Sequence, residues 1–437
     1  MKIRLCLFLS ILLLCCIVIT PLLPFISEKI FINVRYIDDV ILALLFIIIL
    51  LTPTIKTNSY INIFFLFFLA SFVASFIANI LNSNVYAFIA QFRNYFLPIS
   101  CFYIAIHIQE HFTSKKYTKI IFGYLFLLLV LGVIEGLTKS HLYQTYNQWG
   151  YPEFVGNIFR VHTLFTHPGD YGYYLIVFLS LFMLIIQHDF IGKQQRTLCF
   201  IMIIMLVINI LFTISMGPIL SLLIGYIITM YFLRFKIRKK TIVVVSFISL
   251  FSIMIIGNVM MDRIQTRIDV SASSLQTQGK QATRVDFYLQ SIPVISDNII
   301  WGVGPGNFGG WVATKFDSFA HKKYNIDTYG LSSIDLFYPH IIGELGIIGS
   351  VLFFLIYVIV AHRNFKQYFI YKRYYDAKGM ILSGLTVYFV IMLFVCSFWT
   401  MLFESNIHMI LFWSIVGLSE GYSRASSINL RGVQYGS

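Results

Sequence analysis

Apolar runs of about twenty residues recur along this chain from one end to the other, and no other feature limits its fold as severely. A helix needs about that length to cross roughly 30 Å of hydrocarbon, and there each backbone amide must be satisfied within its own segment. Spans are predicted at about 5–25, 38–54, 60–81, 86–108, 120–138, 172–188, 197–214, 217–233, 241–260, 336–361, 380–399 and 406–421. With 58% hydrophobic and only 12% charged residues in 437, the chain is no soluble protein. The expected architecture is an all-α polytopic membrane protein, with residues 1–437 as one integral membrane domain of about twelve helices.

The formal charge of +13 invites a nucleic-acid reading, but its placement argues for topology instead. Alternating the spans from a cytoplasmic N-terminus puts 20 of the 32 Lys and Arg on the inner side, in stretches such as "SKKYTK", "RFKIRKK" and "HRNFKQYFIYKR". That is the positive-inside rule, and it sets both termini in the cytoplasm. All six cysteines fall within apolar spans, so neither a disulfide framework nor CxxC metal chemistry is expected. Basic residues followed by a long apolar run without a small-residue cleavage pattern predict an uncleaved first span.

Two external segments interrupt the short connections, one at 139–171 and one at 261–335. Both are rich in aromatic, Gly, Asn and His residues, which suits a folded surface carrying short amphipathic helices. In the second, "TRVDFYLQSIPVI" has helical spacing at Val285, Tyr288, Leu289 and Ile292 before an expected break at Pro293, and should lie along the outer membrane surface. "GVGPGNF" reads as a tight turn. No Walker motif, strand–GxGxxG–helix or HExxH is present, and the cytoplasmic loops are too short to bind a nucleotide.

Twelve basic residues remain outside, and three of them are singled out: Arg160 just before a span, Arg284 at the start of the amphipathic segment of the second loop, and Arg93 about two turns into a span that begins on the outer side. A guanidinium is a permanent planar fork of donors matched to phosphate oxygens. Head-group anchoring or a salt bridge is the structural alternative for each. Acids and a histidine gather at the mouth of the span in "SSIDLFYPHIIGELGIIG": Asp335, His340 and Glu344. His340 and Glu344 are four apart and share a helix face, with Pro339 suited to the first turn. Ionisable groups at that depth are costly and usually functional. Here they could orient a sugar hydroxyl or accept its proton, with capping and packing as the alternative. His162, His167 and His321 are external, but their spacing suggests no metal site. Trp149, Trp301, Trp311, Tyr146 and Tyr151 could stack on sugars or form an interfacial aromatic belt. Glu135, near the outer end of its span, and Glu404, in a short outer turn, could contribute to the cavity but are assigned no role.

Three stretches together resemble the O-antigen polymerase and ligase superfamily: "RVHTLFTHPGDYGYYL", "TRVDFYLQSIPVISDNIIWGVGPGNF" and "IDLFYPHIIGELGIIG". Arg160 and Pro168 match the first signature, and Arg284, Gly302, Gly304 and Phe308 the second. Asp335, Glu344, Gly346 and Gly349 match the third. The resemblance covers roughly residues 90–360 and departs in two places. Asp335 stands where ligases usually carry a histidine, which favours a polymerase. "SMGP" at Ser215–Pro218 lacks an arginine often found there.

The resemblance implies a GT-C-like helical fold and a metal-independent, cofactor-free glycosyl transfer at the periplasmic face of a bacterial inner membrane. Donor and acceptor would be undecaprenyl-pyrophosphate-linked oligosaccharides, with membrane lipids around them and a chain-length regulator as a further partner; nucleic acid is not expected. Arg284, Arg160 and then Arg93 would clamp the pyrophosphate. Asp335 would be the base, with Glu344 and His340 as alternates. A ligase delivering glycan to lipid A core and a lipid-linked oligosaccharide flippase are the competing readings.

Overall fold

The computed structural model describes residues 2–22, 37–51, 60–112, 115–141, 154–155, 158–165, 167–187, 192–233, 284–327 and 336–434. Apart from the antiparallel strands β1 (Phe154–Val155) and β2 (Ile158–Phe159), these residues form helices and turns. The helices are α1 (Lys2–Ile19), α2 (Ile37–Leu51), α3 (Tyr60–Ala78), α4 (Val85–Phe96), α5 (Ser100–Phe112) and α6 (Lys115–Thr138). Then come α7 (Pro168–Gln187), α8 (Lys193–Phe212), α9 (Met216–Leu233), α10 (Arg284–Asp297), α11 (Gly310–Lys315), α12 (Phe319–Lys323), α13 (Phe337–Arg373), α14 (Ala377–Cys396) and α15 (Asn406–Gln434).

Six of these helices are long and apolar enough to cross a membrane among the described residues: Ile61–Ala78, Lys116–Thr138, Pro168–Gln187, Lys193–Phe212, Phe337–Arg373 and Ala377–Cys396. Cys6–Ile19 and Gly217–Leu233 are shorter apolar helices, and the expected span at 241–260 lies outside the described residues. The chain is therefore a multi-pass membrane protein. Its apolar residues divide as that solvent demands: Phe68, Phe72, Phe102 and Trp413 fill the core, whereas Leu66, Phe67, Ile204 and Ile227 face outward.

One core runs through most helices, with α15 against α5, α13 against α14 and α3, and α9 against α14. Polar residues join helices where hydrocarbon leaves no other partner. The Asn209 side chain of α8 donates to Leu129 O of α6 at 3.1 Å and accepts from the Tyr171 hydroxyl of α7 at 3.0 Å.

Two elements differ from the sequence expectations. The span predicted at 86–108 is two helices, α4 and α5, separated by a 3-10 turn at Leu97–Ile99, because Pro98 has no N–H to continue the ladder. Pro293, expected to end its helix, lies inside α10, which runs on to Asp297. Phe287 and Val294 pack inward, and the stripe's Leu289 and Ile292 are exposed.

Helix α13 is interrupted at Gly346, whose φ of 66° and ψ of −173° belong to a region open essentially to glycine alone. Such a break frees backbone groups that lipid cannot satisfy. The segment after α10 supplies the partners. Ile347 N donates to Ile299 O (2.8 Å), Val303 N to Gly343 O (2.8 Å) and Gly304 N to Glu344 O (3.0 Å). The Ser350 hydroxyl donates to Gly346 O at 2.6 Å. A broken helix and an external loop thus complete each other's hydrogen bonding.

Candidate functional site

Glycine permits that docking. A Cβ on Gly302 would strike the Glu344 carbonyl and Gly346 N, and one on Gly346 would strike Ile300 O and Gly302 N. Gly343 leaves room for the Phe308 ring, which is buried with Phe287, Val294, Val303, Ala320, Ile326 and Leu336. The Ser75 hydroxyl of α3 donates to Trp301 O (2.5 Å) and Glu344 O (3.0 Å), and the Asn79 amide, just past α3, donates to Gly302 O (3.1 Å). The two sequence motifs G-x-G-x-x-x-F and E-x-G-x-x-G are one structural unit.

Glu344 anchors that unit with its side chain. It is fully buried, and its Oε1 accepts from the backbone N–H of Gly306 at 2.8 Å and of Phe308 at 3.4 Å. Its Oε2 lies 3.2 Å from His340 Nε2, one helical turn back as their spacing predicts. A second carboxylate, Glu404, arrives from the 3-10 turn Leu402–Glu404 between α14 and α15. Its Oε1 lies 2.9 Å from His340 Nε2 and accepts from Gln91 Nε2 (2.6 Å) and the Tyr95 hydroxyl (3.0 Å) of α4.

Burial alone would raise the Glu404 carboxyl. His340 and the hydrogen bonds from Gln91 and Tyr95 outweigh burial and hold it below its ordinary value. Two carboxylate oxygens beside Nε2 favour a hydrogen on that atom, and the Gln91 amide nitrogen, 3.2 Å from Nε2, donates instead to Glu404. Nδ1, which makes no hydrogen bond, faces the backbone of Gly309 and Gly310, where added side chains would collide with the ring. Burial and the neighbouring His340 lower the pKa of His321, in α12, to about 4.

The sequence-predicted arginines do not share this place. Arg93 of α4 pairs with Asp39 of α2 at 2.6 Å, and Asn406 donates to the same carboxylate oxygen at 3.1 Å. Arg160 follows β2, is buried, and donates from Nε to Thr213 O at 3.4 Å, just past the α8 C-terminus, where a cation suits the helix dipole. Arg284 begins α10, and its side chain lies outside the described residues, as does Asp335.

Near Arg160, the buried Glu135 Oε2 accepts from the backbone N–H of His162 (3.1 Å) and Thr163 (2.8 Å), and Oε1 lies 3.4 Å from His141 Nδ1. Burial lowers the His162 pKa to about 4 despite the neighbouring Glu135, with His141 and Arg160 opposing protonation too. Donor atoms of Glu135, His141 and His162 fall within 4.8 Å of one another, a grouping that their sequence spacing did not suggest. The two imidazoles stack, with centroids 4.2 Å apart and planes 25° from parallel. A metal lies in the plane of each ring that binds it, and stacked rings do not aim at one point. The trio is best described as a polar clamp on the segment that carries Arg160.

Sequence reasoning named His340 and Glu344, left Glu404 without a role, and missed Gln91, Tyr95, Ser75 and Asn79. A signal existed for these four. Each pair is a polar i,i+4 pair in or at the end of a largely apolar helix, the pattern expected where a helix faces polar partners.

A comparison with curated proteins gives no match. The family model Wzy_C, described as O-antigen ligase, matches residues 200–354, a stretch that contains α10, the glycine loop and the first half of α13. With the interlocked motifs, that match makes residues 200–354 similar to the O-antigen ligase family.

Proposed function

We propose that this protein is an O-antigen or related surface-polysaccharide polymerase, joining polyprenyl-pyrophosphate-linked repeat units at the periplasmic face of the inner membrane. The observation that carries the reading is the lock between the glycine loop and the break in α13, with His340 and both carboxylates beside it. A fixed polar centre at the end of a membrane helix suits a substrate that has sugar in water and a polyprenyl tail in lipid.

The acceptor hydroxyl oxygen attacks the anomeric carbon of the donor, and the bond from that carbon to phosphate oxygen breaks. Polyprenyl pyrophosphate leaves with the electron pair, and the hydroxyl proton passes to a base. Asp335, directly before α13, and His340, through Nδ1, are the candidates; Glu344 is occupied with the loop. Fixed cations stabilise charge developing on the leaving group. Arg284 and Arg160 fill that role in this reading, and Arg93, already paired with Asp39, comes third. The reaction in this form uses no metal and no nucleotide.

Purified protein given the lipid-pyrophosphate-linked repeat unit, with EDTA and no nucleotide, should produce a ladder of longer lipid-linked glycans. Arg284→Ala should abolish it. The description of the matching family favours a second reading, an O-antigen ligase; transfer only when lipid A core is supplied would establish that instead. Well-folded protein that does neither returns the flippase reading.

A further inference from the structure

His340 is held by a residue from the far end of the fold. Glu404 lies 2.9 Å from His340 Nε2 and belongs to the turn before α15, outside the matched residues 200–354. Its hydrogen bonds from Gln91 and Tyr95 fix the carboxylate against α4. Glu344 also approaches Nε2, at 3.2 Å, but its other oxygen is committed to the Gly306 and Phe308 amides. The work is divided. Glu344 holds the loop, and Glu404 holds the ring.

We propose that Glu404 is the positioning residue of this site: it keeps the hydrogen of His340 on Nε2 and so turns Nδ1 towards Gly309 and Gly310 as the atom that meets the acceptor hydroxyl. The proposal rests on the polymerase reading for its substrate but not for its geometry. Among the described residues Nδ1 is buried without a hydrogen bond, and it faces Gly309 and Gly310, which both adopt positive φ and where a side chain would meet the ring. In the reaction, Nδ1 takes the hydroxyl proton as the new C–O bond forms and the pyrophosphate departs, while Nε2–H remains with Glu404. Among the described residues, the ionisable groups around the ring are Glu344 from α13 itself, Glu404 from the turn, Tyr95 from α4 and His321 from α12.

Two substitutions shift the ring's proton affinity in opposite directions. Glu404→Gln removes an anion, so imidazolium loses support and the acidic limb of the pH–rate profile moves to lower pH. Tyr95→Phe removes a donor from the carboxylate, strengthens its hold on the imidazolium, and moves that limb to higher pH. Chain extension by full-length protein in lipid nanodiscs should fall roughly 100-fold in Glu404→Gln, and Glu404→Asp should restore the limb. In parallel, 15N NMR of histidine-labelled protein, assigned with His340→Gln, should show Nε2 protonated in the wild type and mixed tautomers in Glu404→Gln. A purely structural Glu404 would lower yield without moving either limb or the 15N pattern. Folded variants with unchanged limbs and tautomer overturn the proposal, and Tyr95→Phe decides if Glu404→Gln does not fold. If the wild type extends no glycan, the polymerase reading fails, and the NMR result still decides the role of Glu404.

Discussion

Gly302 and Gly346 lie back to back, one in an external loop and the other at the break in a membrane helix, and neither has room for a Cβ because each would strike the other's backbone. Both have positive φ, 69° and 66°. The strained conformation alone costs a residue other than glycine about 1–3 kcal/mol, and the collision adds to it. Gly346→Ala should therefore lower the thermal midpoint clearly and open the loop to proteolysis near Trp301. Gly123→Ala, whose Cβ would meet nothing within 4 Å, should leave both unchanged.

Glu344 can be tested as an anchor separately from its chemistry. Glu344→Ala strands two buried amides, those of Gly306 and Phe308, and an unmet buried donor costs about 1–3 kcal/mol. Glu344→Gln keeps an acceptor oxygen in the same place. Thermal unfolding should show a large loss in the alanine variant and a small one in the glutamine variant.

The Arg93–Asp39 pair joins α4 to α2. Because the arginine is partly exposed, a double-mutant cycle with Arg93→Gln and Asp39→Asn should return a coupling of only about 1 kcal/mol or less. If Arg93 also binds pyrophosphate, Asp39→Asn should lower the donor KM by freeing the guanidinium; an unchanged KM confines Arg93 to the pair.

His162 and His321 both titrate near pH 4, lowered by burial from an ordinary value of 6.5. The unfolded chain takes up their protons first, so the stability linked to them is complete above pH 6.5 and is lost as pH falls from there towards 4. The thermal midpoint should decline across that window. His162→Gln should flatten the decline; an unaltered slope would show that His162 carries none of it.

Arg160 is buried against the carbonyl that follows α8. Arg160→Lys keeps the charge but loses the planar fork. It should retain the fold, judged by thermal midpoint, while reducing chain extension roughly ten-fold or more. Equal activity in the lysine variant would leave Arg160 with a structural role alone.

The polytopic helical character of this protein was legible in its sequence because crossing a bilayer demands long apolar helices, and that demand is written locally. So were the His340–Glu344 pair, set by one helical turn, and the glycines of the two motifs, which mark backbone that side chains would obstruct. The course of α10 past Pro293 and the division of the span at Pro98 were not. A proline states that an amide is missing, and the surrounding packing decides whether the helix goes on. Nor could spacing reveal the grouping of Glu135, His141 and His162.

The sequence by itself determined that long apolar helices recur along the chain, that His340 and Glu344 share a helix face, and that its glycine motifs resemble those of the O-antigen polymerase and ligase superfamily. Only the tertiary structure decided that the glycine loop closes the break in α13, that Arg93 already has a partner, and that Glu404, Gln91 and Tyr95 surround His340. Periodicity is a property of neighbours along the chain, whereas a buried polar cluster is built by groups from distant helices that must satisfy one another because neither lipid nor water reaches them.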